Sequence, residues 1–99
     1  MLNIKKEKKE GEIKISLEGR LDTATSAQLD IEVQSSLDNV EKLIFDLSGL
    51  EYISSAGLRV FLSAQKIMNK KGSIIVQNAS EDVKDIFEMT GFSELFTIE

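Results

Sequence analysis

The sequence predicts an α/β fold: one mixed β-sheet, made of an N-terminal hairpin and further parallel strands, with three main helices in the order ββαβαβαβ. Three observations lead there. Residues 13–18 alternate apolar and polar side chains at period two after a charged lead-in strand, short apolar runs recur near positions 43 and 74, and helix-period segments with start or stop signals separate them. Strands alternating with helices imply right-handed parallel crossovers, whereas two successive strands imply an antiparallel pair.

Ile4, Lys6 and Lys8 alternate with Lys5, Glu7 and Lys9, and Ile13, Ile15 and Leu17 alternate with Lys14, Ser16 and Glu18, so two strands meet at a Glu10-Gly11 turn. Lys5, Lys6, Lys8 and Lys9, interrupted by Glu7 and Glu10, suit a solvated edge strand that lysines protect from aggregation. Gly19-Arg20-Leu21-Asp22-Thr23 breaks the alternation, and Thr25 with Gln28 three residues on predicts a capping box. The stripe Leu29, Val33, Leu37 and Val40 marks the first helix. Leu43 to Leu47 is apolar except for Asp46, which suits a central strand covered on both faces with Asp46 near its carboxyl end. A second helix carries Leu58, Phe61, Leu62 and Met68. Lys66, Lys70 and Lys71 follow at its favourable end, and Gly72 is expected as a left-handed cap. Ile74 to Val76 is the next strand. Ser80 is an N-cap before Glu81 and Asp82, followed by the stripe Val83, Ile86, Phe87 and Thr90, a stop at Gly91, and a last strand over 95–98.

At 99 residues, 41% hydrophobic and 29% charged, the chain reads as one domain over 1–99, able to bury a core without disulfides or a structural metal. It has no cysteine and no histidine, which removes the usual zinc, iron and copper ligands and any side chain that titrates near neutrality. No cofactor is expected. A net charge of −5 without a concentrated basic face argues against nucleic-acid binding. No apolar run reaches the length of a membrane span or a signal core, so the expectation is no membrane contact and a cytoplasmic location. Asn78-Ala79-Ser80 is then a chance glycosylation match.

In an open parallel sheet, function gathers where strand carboxyl ends meet helix amino termini. Residues 19–25 and 50–57 are the two informative loops of that kind, and together they offer Asp22, Thr23, Thr25, Tyr52, Ser54 and Ser55. A serine at a helix start has two readings: an N-cap, or a modification site where a phosphate would find unpaired N–H groups and a favourable dipole. Ala56 and Gly57 are small enough for another protein's backbone to approach. Asp22 either shapes its loop or meets a partner, and Asp46 is expected to be satisfied by neighbouring donors. Arg59 sits early in its helix, with Glu51 and Asp85 as candidate acids. Leu58, Phe61 and Leu62 suit a helix core more than an exposed docking face. Ser63-Ala64-Gln65-Lys66 matches a serine–lysine acyl-transfer pattern but falls mid-helix without companion motifs. No catalytic constellation remains, and the chain reads as a non-enzyme.

The run Asp46-Leu47-Ser48-Gly49-Leu50-Glu51-Tyr52-Ile53-Ser54-Ser55-Ala56-Gly57-Leu58-Arg59 resembles the signature of the STAS family of anti-sigma-factor antagonists. Gly19-Arg20-Leu21-Asp22 resembles the family's first functional loop, and Phe87-Glu88-Met89-Thr90-Gly91-Phe92 resembles its last-helix ending. The resemblance implies a STAS-like fold and a partner-switching function in transcription regulation. Unphosphorylated, the chain would bind an anti-sigma factor that is also a serine kinase and release a sigma factor. Phosphorylation would end the complex, and a metal-dependent serine phosphatase would reset it. The serine two places before the glycine, Ser55, is the implied phosphosite, with Ser54 the alternative; the implied partner surface is Asp22, Thr23, Tyr52, Ser54, Ser55, Ala56, Gly57 and Leu58. Ser54 stands where the family usually has aspartate, and Ala56 where it often has a hydroxyl. A constitutive interaction or ligand-sensing module without a serine switch is the competing expectation.

Overall fold

A computed structural model describes residues 2–99. The strands are β1 (Leu2–Lys9), β2 (Glu12–Leu21), β3 (Lys42–Ile53), β4 (Ser73–Gln77) and β5 (Thr97–Ile98). The helices are α1 (Thr23–Ser36), α2 (Ser55–Met68) and α3 (Glu81–Met89), with a 3-10 turn over Phe92–Glu94. The five strands lie in sequence order, with β1 antiparallel to β2 and every other pair parallel. β1 is therefore an edge, as its lysines suggest, and Gly11 turns the hairpin at a φ of 73° that L side chains rarely adopt.

One face of the sheet carries the core. Ile13, Ile15 and Leu17 of β2, Leu43 and Phe45 of β3, and Ile74 and Val76 of β4 are buried together with Leu29 and Val33 of α1, Phe61 and Met68 of α2, and Val83 and Phe87 of α3. Phe61 is the hub, with its ring centroid 4.6 Å from Phe45, 5.7 Å from Phe87 and 6.3 Å from Phe96, all edge-on. The other face is polar. Ile44 is buried there but stands apart from the core cluster, in a shallow recess lined by Glu7, Lys9, Glu12, Lys14 and Gln77. The expectation of two covered faces for β3 is thus corrected: long charged side chains, not a second helix layer, shield Ile44.

Several expected boundaries also move. β2 and β3 run through segments expected to be loops, and β3 reaches Ile53, which puts Asp46 in mid-strand. The reason is two irregularities in the β2–β3 ladder, between Ser16 and Glu18 and between Gly19 and Arg20, each adding one residue on β3. They convert a strand's spacing of two into a spacing of three, so Leu47, Leu50 and Ile53 all turn into the core. Gly49 belongs to this device, because a Cβ there would lie 2.9 Å from Glu18 Cγ.

Thr25 is not the N-cap of α1; Asp22 is, with Thr25 as its N3 partner. Leu37 and Val40 are buried, but they follow the end of α1 rather than extend it. Gly72 is not a left-handed cap. A Cβ at Gly72 would lie 1.7 Å from the Glu41 carbonyl oxygen, so close passage of the chain beside β3 demands glycine. Ser80 does cap α3, accepting from the Val83 N–H at 3.2 Å, and Gly91 follows at φ 80°. Thr90 is an exposed C-cap outside the buried stripe, and the last strand shrinks to two residues because the 3-10 turn takes up the preceding ones.

Candidate functional site: the paired caps of α1 and α2

β2 and β3 are parallel neighbours, and Leu21 pairs with Ile53 at their carboxyl ends. The next residue of each strand, Asp22 and Ser54, is the N-cap of the helix that follows. The Ser54 N–H donates to the Leu21 carbonyl at 2.9 Å, which locks the two caps side by side. One edge of the molecule therefore presents the amino termini of two packed helices.

Asp22 closes its cap reciprocally. Its Oδ1 accepts from the Thr25 N–H at 2.9 Å, and the Asp22 N–H donates to Thr25 Oγ1, also at 2.9 Å. The Thr25 backbone bond first, and the Thr25 hydroxyl second, hold the Asp22 carboxyl below the usual carboxylate range. Asp22 is thus the turn-shaping residue that its position suggests, and Thr23 beside it is exposed.

The two serines divide their roles. Ser54 Oγ accepts from the Gly57 N–H at 3.1 Å and is the cap of α2. Ser55 is the first helical residue, exposed, and its hydroxyl has no hydrogen-bond partner among the described residues. Ala56 is half-buried. Gly57 is buried, and a Cβ there would come within 2.8 Å of Leu21 Cδ2 and 3.1 Å of Ile53 Cγ1. It seats the start of α2 against the strand ends and contributes close packing rather than surface. Leu58 is half-buried against the core, Phe61 is fully buried, and Leu62 is half-buried, as a helix-core role requires.

Tyr52 flanks the serines at 40% exposure, with the Arg20 guanidinium 4.3 Å from its ring centroid. Sequence reasoning did not pair them; only the β2–β3 register, in which Arg20 faces Tyr52, brings them together. Arg59 is exposed and makes no ion pair among the described residues, neither with Glu51 nor with Asp85. It lines a groove of ≈ 240 Å³ between α1 and α2, with Thr23, Ala27, Asp30 and Ala56 among its walls.

Asp46 lies elsewhere, on the open sheet face. Burial alone would raise its carboxyl pKa, but the Ser48 N–H at 3.1 Å, the Asn78 amide at 3.2 Å and the Lys14 ammonium at 3.7 Å outweigh it and leave the group below the ordinary value. It is a satisfied strand residue. Among the described residues no cluster of acids is placed to hold a metal ion, and no helix is long and apolar enough to cross a membrane.

The family model described as the STAS domain matches residues 3–99. The chain belongs to the STAS domain family. A relative from Bordetella bronchiseptica that bears the name "Putative anti-sigma factor antagonist BtrV" is 33% identical over 94 residues, covering 93% of this chain and 81% of its own. In structure, an anti-sigma factor antagonist from Mycobacterium paratuberculosis superposes with a TM-score of 0.90 at 21% identity, over 99% of this chain and 85% of the other. The Bacillus cell fate determinant SpoIIAA, solved in its phosphorylated form, gives 0.78 at 19%, over 98% and 91%. At these identities the structural likeness establishes the STAS fold. The paired caps lie within the STAS segment, at the carboxyl ends of its two central parallel strands.

Proposed function

We propose that this STAS domain is an anti-sigma factor antagonist switched by phosphorylation of Ser55. Unphosphorylated, it binds an anti-sigma factor with serine-kinase activity and so frees a sigma factor. Phosphate transfer to Ser55 ends the complex, and a metal-dependent phosphatase restores it; ATP and metal belong to those partners. The observation that carries the reading is the division of labour between the serines: Ser54 is occupied as a cap, whereas Ser55 offers a free, exposed hydroxyl at a helix start. The name of BtrV supports the antagonist role. The phosphorylated SpoIIAA structure supports the switch, as a protein of this fold that carries phosphate.

The physics of the switch is local. A phosphate adds roughly 1.5 to 2 negative charges where unpaired helix N–H groups and the dipole favour an anion, so the fold tolerates it. A partner fitted to a neutral surface of small residues would instead have to desolvate a dianion. Asp22, Thr23, Tyr52, Ser54, Ala56 and Leu58 around Ser55 form the surface that the partner meets, with Gly57 beneath it.

The test is to incubate the protein with its cognate kinase and ATP and to map phosphate by mass spectrometry. Modification at Ser55, and a Ser55→Ala variant that stays bound after ATP is added, are expected. Phosphate on Ser54, or release of the Ser55→Ala complex by ATP, would overturn the assignment. Ser55→Asp should weaken the complex at least tenfold; unchanged affinity would favour a constitutive module.

A further inference from the structure

We infer that a phosphate on Ser55 is captured by Arg59, one helical turn further along α2. The inference rests on Ser55 being the modified residue. Residues four apart on a helix lie on one face, and an anion on the amino-terminal side of a cation is the favourable order. Ser55 and Arg59 meet both conditions and are both exposed.

Arg59 is otherwise unexplained. It is the fifth residue of α2, and no acid within the described residues pairs with it. The surrounding charges leave it available. Asp22 is committed to its cap, Asp30 shares the groove without reaching ion-pair distance, Arg20 is stacked on Tyr52, and Glu51 is exposed beside the site. The planar guanidinium can meet two phosphate oxygens with two parallel N–H bonds, whereas a lysine acts there as a point charge. Ser54 is five residues from Arg59 and off its face, so capture is specific to Ser55.

Phosphorylation then alters the partner surface twice, by adding a dianion and by withdrawing a free guanidinium from the mouth of the α1–α2 groove.

The test is a phosphorus NMR titration of the full chain with phosphoserine installed genetically at position 55, which makes it independent of whether any kinase acts there. The second phosphate pKa, near 6 for an unperturbed phosphoserine, is expected about 0.3 pH unit or more lower in the otherwise unchanged chain than with Arg59→Gln. Arg59→Lys should keep part of that shift. Identical titrations for the parent and Arg59→Gln would overturn the inference. So would a larger change with Arg20→Gln, which would name the other arginine as the phosphate's partner.

Discussion

Ser54 and Ser55 are chemically identical neighbours, and one hydrogen bond separates their roles. Removing the cap with Ser54→Ala leaves the Gly57 N–H without its acceptor and should cost about 0.5–2 kcal/mol in urea unfolding. Ser55→Ala, which removes no such bond, should be within about 0.5 kcal/mol of the parent. The two substitutions therefore separate the capping serine from the proposed phosphosite. Gly57→Ala tests the seat of α2, because its methyl would sit 2.8 Å from Leu21 Cδ2 and Cγ in a filled site. A loss of about 1–3 kcal/mol is expected from the overpacking. Acid sensitivity is also a residue-scale matter. Asp22 and Asp46 both have folded pKa values below their unfolded ones, so below pH 4 the unfolded chain binds more protons than the folded one. Their contribution is present above the unfolded value and is lost as pH falls through the folded values. Asp46→Asn should accordingly flatten the fall of stability between about pH 4 and pH 2, measured by urea midpoints at each pH.

Among the elements, β3 is the one that periodicity misjudges. Leu43, Phe45 and Leu47 alternate as a strand should, but Leu50 and Ile53 follow at spacing three, which reads as a loop until the two bulges are known. The helices are more legible, because capping chemistry is local: Ser80 is visible as a cap from sequence, whereas the capping box of α1 lies three residues earlier than the expected Thr25–Gln28 pair, with Thr25 as N3 instead of N-cap. Gly72 shows the limit of local reasoning. Its position suggests a helix stop, while the constraint comes from the Glu41 backbone, thirty-one residues away in the chain, against which no Cβ fits. Gly72→Ala should therefore destabilise by about 3 kcal/mol. If it costs only the few tenths that an exposed cap residue would, the close approach is not a constraint.

At the scale of the molecule, α2 connects the site to the core. Its amino terminus carries the serines, and four residues after Gly57 it buries Phe61 among Phe45, Phe87 and Phe96. Phe61→Ala should cost about 3–5 kcal/mol in chemical denaturation, because it empties the one cluster shared by the sheet, α2 and the segment after α3. Phe61→Leu, which keeps most of the volume, should cost less and leave the cap of α2 intact, since that cap depends on Ser54 and Gly57. The placement of all three helices on one face leaves the other face of the sheet to Lys14, Asp46 and their neighbours, well away from the paired caps.

The order of elements, the edge character of β1, the Ser80 cap of α3 and the serines at the start of α2 are local properties, set by side-chain period, capping chemistry and charge within a few residues. They can be read along the chain, as can the STAS signature. The bulges of β3, the glycine demanded at position 72, the open sheet face and the Arg20–Tyr52 stack depend on which strand lies beside which and in what register. So does the adjacency of Asp22 and Ser54, thirty-two residues apart in the chain and joined only because β2 and β3 end together. Those are non-local pairings, and no window of sequence contains both partners.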